Sequence, residues 1–158
     1  MAGPFIPYKY LSEETIDYQY FKQFAAQHPE SFKNHHEMNY GHYFDVSAIT
    51  KDGTPAEIEL KLREPDAERY RTCYIEVVKH QKMMADYRKT GILPVYINFI
   101  GDNKTMYLFR LDRLKHGEVD FSKMIQGEPQ DRFGLYWSDA WLYKMQPDGK
   151  YKLIKKGL

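Results

Sequence analysis

Residues 56–64 read AEIELKLRE, a strict alternation that places Glu57, Glu59, Lys61 and Arg63 on one side of an extended chain and Ile58, Leu60 and Leu62 on the other. The pattern predicts a strand with one face in a core and one charged face. Residues 43–49, rich in aromatic and β-branched side chains, predict a partner strand. The connecting Thr50-Lys51-Asp52-Gly53-Thr54 has glycine where a three-residue hairpin loop needs a left-handed residue. That loop sets the register: Thr50 faces Thr54, Ser47 faces Glu57, and Asp45 faces Glu59. A two-residue loop at Asp52-Gly53 would put Asp45 opposite Leu60 and away from the acid.

Two carboxylates facing each other on a mid-sheet strand lose hydration without return unless something binds them. A hard divalent cation such as Mg²⁺ or Mn²⁺ suits them, since it takes carboxylate and carbonyl oxygens and keeps several waters. Asp45, Glu59 and the backbone carbonyl of Leu60 therefore form a candidate partial metal shell. Lys61, two residues on and on the same face, is placed to orient or deprotonate an attacking water. Glu57 extends the face and either binds a second cation or pairs with Arg63.

The rest of the chain supplies a framework for this hairpin. Ser12 is a candidate helix N-cap, with Glu13 and Glu14 in the first turn and Ile16, Tyr20 and Phe24 at helical spacing, ending at His28-Pro29. Residues 1–11, with Pro4 and Pro7 among aromatics, suggest an extended arm. Residues 30–41 are polar and read as a connection, with the adjacent His35 and His36 in a loop rather than on a metal. After a charged excursion, residues 73–78 fit a strand or the start of a helix, residues 79–89 a helix stopped by Gly91, and LPVYINFI at 93–100 a strand buried on both faces. A strand at 105–111 follows a turn. Beyond it come short irregular pieces and a last hairpin, 141–145 and 151–154, around Pro147-Asp148-Gly149. The order predicts an α/β sandwich around a central mixed sheet. At 158 residues, one domain is expected, with a core over residues 12–111 and an extension over 112–158.

Asp45, a hairpin, and then Glu59-Leu60-Lys61 resemble the D…(D/E)-x-K signature of the PD-(D/E)XK nuclease superfamily, and small bacterial and phage members in particular. The resemblance implies a three-layer-like core of helix, three strands, helix and strand, the αβββαβ restriction-endonuclease-like arrangement. It also implies Asp45 and Glu59 as metal ligands, Lys61 as the catalytic lysine, and Mg²⁺ or Mn²⁺ as cofactor. An added acid from the first helix would be Glu13 or Glu14, and a polar or basic residue after the motif Glu76, Lys79 or Gln81. The residue before Asp45 is Phe44 where the family name has proline.

Lysine plus arginine number 23 against 22 acids, so the net charge of +1 excludes a broad basic field, and any nucleic-acid contact must be local. Arg63, Lys82, Arg88, Lys89 and the tail lysines Lys150, Lys152, Lys155 and Lys156 are the candidates. Lone Cys73 suits a reducing compartment, and no stretch is long and apolar enough for a membrane, so the expected setting is the cytoplasm of a bacterial or phage-infected cell. The expected activity is hydrolysis of phosphodiester bonds in nucleic acid, DNA ahead of RNA, by an enzyme that the resemblance allows to act as a homodimer. The rival expectation is a nuclease-like fold kept as a non-catalytic nucleic-acid-binding or phage-assembly module.

Overall fold

The structure, a computed structural model, describes residues 14–39, 41–114, 117–120, 124–125, 128–129 and 132–158. Its elements in chain order are α1 (Ile16–Gln27), β1 (Phe32–Glu37), β2 (Val46–Thr50), β3 (Pro55–Arg63), β4 (Thr72–Glu76), α2 (Val77–Thr90), β5 (Leu93–Ile100) and β6 (Thr105–Arg110). The short strands β7 (Gly117–Asp120), β8 (Met124–Ile125), β9 (Glu128–Pro129) and β10 (Arg132–Tyr136) follow, and β11 (Trp141–Met145) and β12 (Tyr151–Lys155) form the last hairpin. Seven strands make the central sheet in the order β1-β2-β3-β5-β6-β11-β12, and β4-β10-β7 make a second sheet. Neighbours in the central sheet are antiparallel except β3 and β5, which run parallel and are joined through β4 and α2. This is the predicted α/β sandwich around a mixed sheet, with helix, three strands, helix and strand in the expected order and β4 inserted before α2.

The apolar run of β5 explains why the sheet needs cover on both sides. Val95, Ile97 and Phe99 point to a core with Phe21 and Phe24 of α1 and with Val46, Ile58 and Leu60. Tyr96 and Ile100 point to a second core with Met83 of α2, Ile75 of β4 and Leu135 of β10. One layer is therefore α1, the next the central sheet, and the third α2 with the second sheet.

Three expectations need correction. The N-cap of α1 is Thr15, whose hydroxyl accepts from the Tyr18 N–H at 3.4 Å; Ser12, Glu13 and the aromatic arm at 1–11 lie outside the described residues. Residues 32–37 are strand β1 rather than a connection. It is the sheet's edge, so its outward residues stay polar, and a register shift at Asn34, φ 50°, breaks the alternation. His35 consequently sits on a strand, hydrogen-bonded to the Tyr18 hydroxyl at 3.0 Å and packed edge-on against Phe21. Finally, the stretch after 111 contains β7–β10, where glycine and proline had masked the pairing.

Candidate active site

The hairpin forms as its turn chemistry dictates. Gly53 has φ 87°, its N–H donates to the Thr50 carbonyl at 2.9 Å, and the Thr50 N–H donates to the Thr54 carbonyl at 2.8 Å. The Asp52 carboxylate accepts from the Thr50 hydroxyl and the Thr54 N–H, locking the loop. The pairing then runs Ser47 with Glu57 and Val46 with Ile58. One step further, Asp45 leaves regular strand geometry, yet its N–H still donates to the Ile58 carbonyl at 2.9 Å. Its carboxylate turns onto β3 and accepts the Leu60 N–H at 2.8 Å. In an extended strand a residue's N–H and C=O point to the same edge, so the Leu60 carbonyl lies on the edge where Asp45 sits.

Asp45 and Glu59 stand close enough for each carboxyl to act on the other's ionisation. Burial holds the Asp45 carboxyl above its ordinary range, opposed by the Leu60 N–H. Burial and the Asp45 charge push Glu59 up to about 8, against the pull of Lys79. Glu59 is 6% exposed. Its Oε2 receives the Lys79 ammonium at 2.6 Å, while its Oε1 is buried with no hydrogen-bond partner. A buried carboxylate oxygen with no donor, next to a second carboxylate, lacks a positive partner. The donor set fits a hard cation. Among the described residues no three His, Cys, Asp or Glu side chains form a ready ligand group, so a cation here would rest on Asp45, Glu59, the Leu60 carbonyl and water.

The site opens into a cavity of about 430 Å³ whose wall includes Asp17, Glu37, His42, Asp45 and Lys79. Asp17 stands in the first turn of α1 and its charge adds to the rise at Asp45. Glu37 accepts from the Thr15 N–H at 3.3 Å and from the Thr15 hydroxyl, tying the helix start to β1. Sequence reasoning missed Asp17 because the N-cap was set at Ser12; Thr15 followed two residues later by an acid was the available signal. Glu14, the earlier candidate, precedes the helix and pairs with Lys22.

Lys61 lies on the face of Glu59 but is exposed, with no ion-pair partner among the described residues. The cation against the acid pair is Lys79, from the first turn of α2; burial alone would lower its pKa, and the Glu59 contacts outweigh that and raise it. Glu57 is buried and does not pair with Arg63. The Tyr43 hydroxyl is within hydrogen-bond reach of it at 3.0 Å and also of Asp86 of α2, and burial with Asp86 pushes Glu57 up to about 8. Arg63 turns inward to Asn98, the Tyr74 carbonyl and the Tyr96 hydroxyl. Glu76 is the exposed N-cap residue of α2, and its charge helps hold the Lys79 proton. Gln81, Lys82, Arg88 and Lys89 are exposed on α2, Lys82 over the Tyr43 ring, and Lys150, Lys152, Lys155 and Lys156 are exposed on and around the β11–β12 hairpin.

No protein-family model matches the chain, and no curated protein does. Among solved structures, the chain is similar to the Holliday junction resolvase Hjc of Archaeoglobus fulgidus at 11% identity, with a TM-score of 0.48, over 75% of this chain and 87% of that one.

Proposed function

We propose that this protein is a divalent-cation-dependent nuclease that hydrolyses phosphodiester bonds of DNA. The observation that carries the reading is the buried, unpartnered Oε1 of Glu59 beside the Asp45 carboxylate, on a strand edge that also offers the Leu60 carbonyl. Asp45, Glu59 and that carbonyl would hold Mg²⁺ or Mn²⁺. When bound, the cation lowers the pKa of a coordinated water and offsets the charge that gathers on the phosphoryl oxygens. Lys79 fixes the Glu59 carboxylate and presents an ammonium group at the cavity wall, where it meets the scissile phosphate. Lys61, exposed on the same face, approaches the phosphate and the attacking water from the open side. Asp17 and Glu37 narrow the cavity and bias it towards cations.

The test is incubation of plasmid, single-stranded DNA and RNA with Mg²⁺ or Mn²⁺. The wild type should cleave DNA, and Glu59→Gln and Asp45→Asn should lose at least a hundredfold. Equal rates in all three proteins would defeat the reading. A second reading, a non-catalytic nucleic-acid-binding module, draws on the Lys79 ion pair, which already satisfies one oxygen of Glu59. Calorimetric titration with Mn²⁺ separates the two: the nuclease binds the ion and loses it in Asp45→Asn, whereas the module binds none.

A further inference from the structure

A cavity of about 550 Å³ lies beyond Arg63, where the end of β3 meets the second sheet. Its wall combines Arg63 and Arg132 with Tyr70, Tyr74 and Trp137. The two guanidinium groups lie over the Tyr74 ring, 4.9 Å from its centre for Arg63 and 4.1 Å for Arg132. Stacked on the ring, they keep their in-plane N–H groups free to point elsewhere. Arg132 has no carboxylate partner among the described residues, and Arg63 spends its bonds on neutral oxygens. The acids in the wall do not cancel them: Asp66 is held by Arg69 at 2.8 Å, leaving exposed Glu64 alone. Trp137 is 9% exposed and its indole N–H is buried without an acceptor. Tyr70, by contrast, is 58% exposed; the Arg69 guanidinium lies over its ring, 4.8 Å from the centre, and the ring is otherwise offered to solvent. Unpaired donors, fixed guanidinium groups and an open aromatic face in one cavity are the chemistry that takes a phosphate with an attached base.

Position ties this cavity to the acid pair. Glu59, Lys61 and Arg63 occupy successive places on one face of β3, so Arg63 stands about 13 Å along the strand from Glu59, with exposed Lys61 between. We propose that the Arg63–Tyr74–Arg132 cavity is a nucleotide subsite, which holds a phosphate of the substrate strand on its guanidinium groups and stacks the adjoining unpaired base on Tyr70. The proposal builds on the nuclease reading but concerns binding, so it is tested without catalysis. A free mononucleotide shares this chemistry, and the proposal commits to a strand.

The experiment measures fluorescence anisotropy of a labelled single-stranded DNA 12-mer in EDTA over a range of salt concentrations. The expected result is roughly tenfold weaker binding for Arg132→Ala, with a salt slope smaller by about 1, and largely restored affinity for Arg132→Lys. Tyr70→Ala should weaken binding by roughly tenfold with the salt slope unchanged, because stacking releases no counterions. Lys51→Ala, in the exposed loop between β2 and β3, should bind as wild type. Unchanged binding in both Arg132→Ala and Tyr70→Ala overturns the subsite, as does loss of equal size in Lys51→Ala. Tighter binding of dAMP than of the 12-mer overturns the commitment to a strand. Absent cleavage with these binding losses intact would fail the nuclease reading and leave the subsite standing; cleavage by the wild type with no such losses would do the reverse.

Discussion

Lys79 and Lys61 separate cleanly by environment. Lys79 is the partner of a carboxylate whose side chain is 8% exposed, so its removal leaves an unsatisfied buried oxygen on each side of that group. Lys79→Ala should cost about 1–3 kcal/mol in urea unfolding, the penalty for orphaning one buried acceptor. Lys61→Ala should stay within about 0.5 kcal/mol, as for an exposed lysine with nothing to lose. Loss of cleavage in both, with loss of stability in only one, would assign Lys61 to the substrate and Lys79 to the site's architecture as well; equal stability of the two variants would contradict the ion pair's importance. The acid pair itself was legible because its geometry is local: the turn between Thr50 and Thr54 sets which residues face each other. Lys79 and Asp17 were not, since each arrives from a helix whose position relative to β3 depends on tertiary packing that no short spacing encodes.

The hairpin between β2 and β3 is the element that aligns the site, and its single strained requirement is Gly53. With φ 87° and open space around the missing Cβ, alanine there meets no clash but must adopt a left-handed backbone. Gly53→Ala should therefore lower stability by about 1–2 kcal/mol, read as a shift in thermal midpoint, while the Mn²⁺ affinity of the folded protein stays unchanged. Weakened Mn²⁺ binding in fully folded Gly53→Ala would show that the register slips. Strands with regular alternation, β3 and the twice-buried β5, could be read directly from the chain. β1 could not, because an edge strand with a register shift carries Lys33, Asn34 and two histidines in a run that hydrophobic periodicity does not mark. The same limit applies to β4, which ends where α2 begins with no intervening turn residue.

Across the whole molecule, two cores share one sheet as their common wall. Phe21 fills one and Met83 the other, each fully buried. Phe21→Ala should cost about 3–5 kcal/mol and Met83→Ala about 2–5 kcal/mol. Because β5 contributes alternate residues to both cores, each variant should unfold in one transition, with tryptophan fluorescence and far-ultraviolet dichroism coincident. Two separated transitions would mean that the layers are independent. The layered arrangement was legible from the order of elements and from LPVYINFI; the second sheet was not, as β4, β7 and β10 find each other across long intervening chain.

Among the described residues the central sheet stops at β12, whose residues Lys152, Leu153, Ile154 and Lys155 are exposed. An unpaired border of backbone N–H and C=O groups invites another molecule to zip on, and the two apolar residues add to that pull. Ammonium groups flanking them oppose such growth, since each would have to give up its water. Acylation that erases their charge would weaken that brake.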